Sequence, residues 1–143
     1  MKRRGFAFEI QLERLSKHLN SIGVHMHKNH ARRTVGGVYI EGEPFDYEIL
    51  CDGAIHCFDA KECEGARWSL KNAKPHQLNN LLICSKNGAE AYFLVLFKPD
   101  RLVRFSADLV QMALSSGKKS LAPEEGVTWD WKEFDISRKR SAS

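Results

Sequence analysis

No apolar run in this chain approaches the ~20 residues that a membrane-spanning helix needs. The N-terminus begins Met1-Lys2-Arg3-Arg4, but Glu9, Gln11, Glu13 and Arg14 break up the segment after it. A secretory signal needs an apolar segment there, so none is read, and a cytoplasmic location is expected. Internal repeats and low-complexity tracts are absent as well. Cysteine is scarce: Cys51, Cys57, Cys63 and Cys84, with no CxxC pair among them. That spacing does not suit a zinc site, so the thiols read as small packed hydrophobes. His25 and His27 alternate, but no carboxylate or cysteine stands near them in sequence, so a half-exposed strand is the reading there.

What remains is an ordinary globular composition. The chain has 143 residues, 28% of them charged, with a net charge of +4. That length suits one domain with its own core, expected over 1–136, followed by a basic tail at 137–143. The charge is unevenly placed. Residues 1–34 hold eight Lys/Arg and two Glu, whereas residues 41–64 hold eight Asp/Glu and one Lys. Residues 65–143 are basic again, with thirteen Lys/Arg against eight Asp/Glu. An acidic centre between basic flanks can gather a metal ion and a phosphate backbone together.

Phe6, Ile10, Leu12, Leu15 and Leu19 recur at near-helical spacing, which predicts a helix over 6–21 that ends near Asn20 and Gly23. Val24 to His27 reads as a short strand and Lys28 to Gly37 as a polar loop or arm. Val38 to Ile40 is a further short strand. Phe45 to Cys51 and Ala54 to Lys61 are strands joined at Asp52-Gly53, a strong hairpin signal. A helix is expected next over Pro75 to Ser85, closed by Gly88. Ala91 to Phe97 is apolar throughout and reads as a buried strand. Leu102 to Phe105 is another strand, and Ala107 to Leu114 a short helix.

The chemistry sits on the hairpin. A strand has period two, so Asp59 and Lys61 share a face. Asp46, at the start of the partner strand, can reach the same face. Two carboxylates can hold Mg²⁺ through hard oxygen ligands, leaving its other positions to water and substrate phosphate. A lysine beside them can orient a water or steady the charge that builds on the phosphate. Glu62, by the same alternation, falls on the opposite face.

Several pieces then resemble one family, in order. Arg4-Gly5-Phe6 with Phe8-Glu9 is similar to the opening helix of the RecU-like Holliday-junction resolvases. Pro44-Phe45-Asp46-Tyr47 resembles their P-S/T-x-D-Y segment, and Phe58-Asp59-Ala60-Lys61-Glu62 their FEAKE. Leu70-Lys71-Asn72-Ala73 with His76-Gln77 resembles LKNI…HQ. Gly88 to Phe97 and Gly117-Lys118-Lys119-Ser120 match later pieces, so the resemblance spans roughly 3–121. It departs in carrying Asp59 where the family usually has Glu, and Phe45 where a small hydroxyl residue is usual. The segment before Asp46 is also short for the family's protruding stalk, leaving only about 28–37 to serve.

The resemblance implies an α/β fold of the PD-(D/E)xK superfamily: a restriction-endonuclease-like core with a mixed central sheet flanked by helices. It implies a Mg²⁺-dependent endonuclease, with Mn²⁺ able to substitute, that resolves four-way DNA junctions as a homodimer. Asp46, Asp59 and the backbone carbonyl of Ala60 are the implied metal ligands, with Lys61, Gln77 and Glu9 completing the catalytic set. Lys2, Arg3, Arg4, Lys28, Arg32, Arg33, Lys71 and Lys74 are the expected DNA contacts. Two other readings stay open: a related nuclease for other branched or duplex DNA, and a non-catalytic protein that binds DNA structure.

Overall fold

A computed structural model of the protein describes residues 6–28, 32–33, 39–40 and 46–134, with 6, 32, 33, 39 and 40 described by backbone alone. Helix α1 (Phe6–Ser21) buries Phe8, Leu12 and Leu19, which lie on one stripe. Gly23 ends it at φ +89°, a left-handed conformation that costs glycine little. Strand β1 (His25–Lys28) comes directly after.

Two short strands, β2 (Arg32–Arg33) and β3 (Tyr39–Ile40), pair antiparallel. Part of the predicted loop, Arg32–Arg33, is therefore a strand paired with the expected strand at Tyr39–Ile40, while residues 29–31 and 34–38 lie outside the described residues. The loop's polar sequence carries no apolar alternation, so nothing local announces the pairing. Strands β4 (Tyr47–Cys51) and β5 (Ala54–Cys63) form the predicted hairpin. Its turn has positive φ at both Asp52 (50°) and Gly53 (82°), as the twist of a two-residue hairpin demands.

Strand β6 (Trp68–Ser69) and a 3₁₀ turn (Leu70–Asn72) lead into α2 (Pro75–Lys86). Then come β7 (Glu90–Phe97), β8 (Arg101–Ser106) and α3 (Ala107–Ser115). Short strands β9 (Ser120–Leu121) and β10 (Val127–Thr128) complete the order. The expected strand and helix cores all form, several extended by one or two residues. The short β6, β9 and β10 are additions, because two-residue strands leave no periodicity to read.

The main sheet has the order β1-β4-β5-β7-β8-β10. It is mixed: β5 pairs antiparallel with β4 and parallel with β7. The β5-to-β7 crossover carries α2 over one face. On that face α2 and α3 cover a core containing Trp68, Phe93, Phe105 and Val110. On the other, α1 and the C-terminal turns cover Phe58, Tyr92, Trp129 and Phe134. Cys51, Cys57 and Cys63 are buried and Cys84 is half-buried, and none of the four is in a disulfide among the described residues. Among the described residues, no helix is long and apolar enough to cross a membrane.

Candidate active site

Strand β4 begins at Tyr47, which faces Phe58 of β5. Asp46 therefore lies just beyond the last paired residue and beside Asp59. Its backbone N–H donates to Asp59 Oδ1 at 3.0 Å. Its own carboxylate accepts the Ala60 N–H at Oδ2, 3.3 Å away. The N–H and C=O of one strand residue point to the same edge. The Ala60 carbonyl thus opens along the edge that β4 leaves free, toward Asp46.

Asp59 is 1% exposed, and its Oδ2 has no hydrogen-bond partner among the described residues. Burial, reinforced by the Asp46 charge, pushes its carboxyl up to about 8. Lys61 shares the Asp59 face, as strand alternation requires. Its ammonium donates to Gln77 Oε1 at 2.9 Å, which ties β5 to the first turn of α2. Burial lowers the Lys61 pKa; the Asp59 and Asp46 carboxylates oppose the fall and Lys74 adds to it.

A cleft of about 260 Å³ opens over this group, lined by Asp46, Ala60 and Lys61. Glu9 of α1 lines it too, with a side chain 54% exposed and 3.9 Å from Lys28 Nζ. Lys28 and Lys74 stand on its walls, while Lys71 is exposed on the neighbouring 3₁₀ turn. Asp46, Asp59, Lys61 and Gln77 are thus gathered at one place, and Glu9 lines the same cleft from α1. Lys2, Arg3 and Arg4 lie outside the described residues, and Arg32 and Arg33 are placed by backbone only. His25 and His27 are exposed, and Glu48 lies 3.5 Å from His25. Among the described residues, no three His, Cys, Asp or Glu side chains are gathered as a metal cage.

Three polar cleft residues were not expected as site residues from sequence. Asn72 lines it from the 3₁₀ turn, and Tyr47 lines it with a buried hydroxyl that has no partner among the described residues. Glu62 lines it as well, although it points to the other face of β5. The cleft runs past the free edge of the strand, so both faces reach it. The Leu70-Lys71-Asn72 motif was visible in the sequence, but its place over the cleft depends on the β6–β9 pairing.

The family model for Recombination protein U (RecU) matches residues 9–129. The chain belongs to the RecU family. It is accordingly a Holliday-junction-resolving endonuclease of DNA recombination, in a family that uses a divalent metal. The fold is similar to Hjc, a Holliday junction resolvase of Archaeoglobus fulgidus. The TM-score is 0.55 at 17% identity, over 83% of this chain and 94% of that one. Among proteins of curated function, none matches.

Proposed function

We propose that this RecU-family chain cuts four-way DNA junctions in a Mg²⁺-dependent reaction centred on Asp46, Asp59 and Lys61. The observation that carries the metal assignment is the unpartnered, buried Oδ2 of Asp59 beside the Asp46 carboxylate. Two carboxylates this close do not both stay ionised without a cation. The available donors are hard oxygens: Asp46, Asp59 and the Ala60 carbonyl. Their small number suits Mg²⁺, which keeps several positions for water and substrate phosphate. When bound, the ion polarises the scissile phosphate and makes a water more acidic.

The chain's own residues do the rest. Gln77 holds the Lys61 ammonium at the cleft, where it orients the attacking water and steadies charge developing on the phosphate. Lys28 and Lys74, on the walls, bind and align the DNA backbone. Glu9 faces the same space and holds Lys28 within ion-pair range. A four-way junction has two symmetric strands to cut, so a two-fold homodimer supplies one site to each. We assign the junction contact to the basic Arg32–Arg33 strand, which pairs with β3.

Cleavage of a synthetic four-way junction, compared with linear duplex in Mg²⁺, tests this reading. Junction cleavage that is lost in Asp59→Asn supports it. Equal cleavage of both DNAs points to a duplex nuclease, and junction binding without any cleavage to a DNA-structure-binding protein.

A further inference from the structure

A second cavity, of about 210 Å³, adjoins the catalytic cleft and shares Glu62 and Asn72 with it. Its rim is built firmly. The Cys63 thiol, with its single proton, lies within donating range of the carbonyls of Arg67 (3.2 Å) and Gly65 (3.4 Å), and Arg67 Nε donates to Ser120 Oγ at 2.7 Å. Trp68 also lines this cavity, fully buried, with an Nε1–H that has no partner among the described residues.

The decisive group is Glu62. Its side chain is only 8% exposed. Its ion-pair partner among the described residues, Lys98 Nζ, lies 3.8 Å away, beyond hydrogen-bond range, and approaches Glu64 more closely at 3.4 Å. The Glu62 carboxylate therefore retains acceptor capacity in a confined space. Glu62 and Glu64 face Lys98 and Arg67 there, but Lys98 is engaged by Glu64 and Arg67 is turned to Ser120 and Glu125, so neither cation is left over for a phosphate. What suits the cavity is an uncharged group that donates hydrogen bonds. Asn72, whose carboxamide has no hydrogen bond among the described residues, stands between the two cavities. Because the two cavities share Glu62 and Asn72, a nucleotide with its phosphate in the first is a chemical fit with its base in the second.

We infer that this second cavity receives the base of a nucleotide flanking the scissile phosphate, and that Glu62 accepts the exocyclic amine of adenine or cytosine. A carboxylate accepts from such amines and repels the carbonyl oxygen that thymine presents at the same edge. Glu62 is only 8% exposed, so the base enters the cavity with its major-groove edge leading, the edge on which adenine and cytosine carry their amines and guanine and thymine carry acceptors. The inference rests on the nuclease reading above and adds sequence selection to it.

The test uses four-way junctions with A, C, G or T at each position flanking the cut. Cleavage is measured in Mg²⁺ and competition binding in Ca²⁺, for the full chain and for Glu62→Gln and Asn72→Ala. The expected result is a preference for adenine or cytosine over thymine, on the order of tenfold, at one flanking position. Glu62→Gln should bring that ratio close to one, since its amide can donate to thymine as well. Asn72→Ala, a change at an exposed residue, should shrink the ratio without disturbing the fold. Cleavage with no base preference overturns the base site and leaves the nuclease reading intact. So does a preference that both variants keep in full. If the chain cleaves no DNA, the nuclease reading fails, and the calcium binding ratios still decide the base site.

Discussion

The Asp46 N–H donates to Asp59 Oδ1 at 3.0 Å, although the two residues are separated by a whole hairpin. The bond holds two carboxylates side by side, one of them almost fully buried. Repulsion between them is the physical reason to expect a cation there. Asp46→Asn and Asp59→Asn should each reduce junction cleavage below detection while leaving junction binding within a few-fold, since most DNA affinity comes from phosphate contacts elsewhere. Mg²⁺ should raise the melting temperature of the unaltered chain and not that of Asp59→Asn, because only the native carboxylate pair binds it. Persistent cleavage in both variants would remove these residues from the site. Ca²⁺ should support binding without cleavage, its looser coordination placing the water poorly.

Lys61→Ala should slow single-turnover cleavage on the order of a hundredfold or more, with little change in affinity. Gln77→Ala leaves the amine in place but unheld, so its loss should be about tenfold. If Lys61→Ala weakens binding and leaves the chemical step intact, the lysine is a phosphate contact only.

Arg32→Ala combined with Arg33→Ala should lower the preference for four-way junctions over duplex. Affinities for both DNAs across a salt series separate the alternatives. A parallel loss on both, with a shallower salt slope, marks the pair as general phosphate contacts.

His56 is 9% exposed and meets Tyr92 Oη at 3.1 Å, while Trp129 Nε1–H donates to the same hydroxyl at 3.0 Å. Burial, aided by the Arg104 charge, lowers the His56 pKa. The folded state therefore holds the proton less tightly than the unfolded chain. Its stability contribution is complete above the unfolded value, near 6.5, and falls away as pH drops below it. His56→Phe should flatten that part of the stability profile. Tyr92→Phe strands both partners of the hydroxyl and should cost roughly 1–3 kcal/mol of unfolding free energy at neutral pH. Urea denaturation at several pH values measures both effects.

Much of the framework was determined locally, and so was legible in the chain itself. The stripe of Phe8, Leu12 and Leu19 specifies α1, Asp52-Gly53 specifies the hairpin, and strand alternation alone puts Asp59 and Lys61 on one face. Each depends on residues close in sequence. Family resemblance added Gln77 and Glu9, which no periodicity would single out. Only the tertiary structure decided the rest. Glu62 faces away from Lys61 along β5, yet it lines the same cleft because β4 stops at Tyr47 and leaves an edge open. Arg32 pairs with Ile40, and Trp68 with Leu121, and strands this short carry no sign of which partner they take. His56, Tyr92 and Trp129 meet across 36 and 37 residues of chain. Such contacts depend on which elements pack together, and a local repeat of two or 3.6 residues carries no information about that.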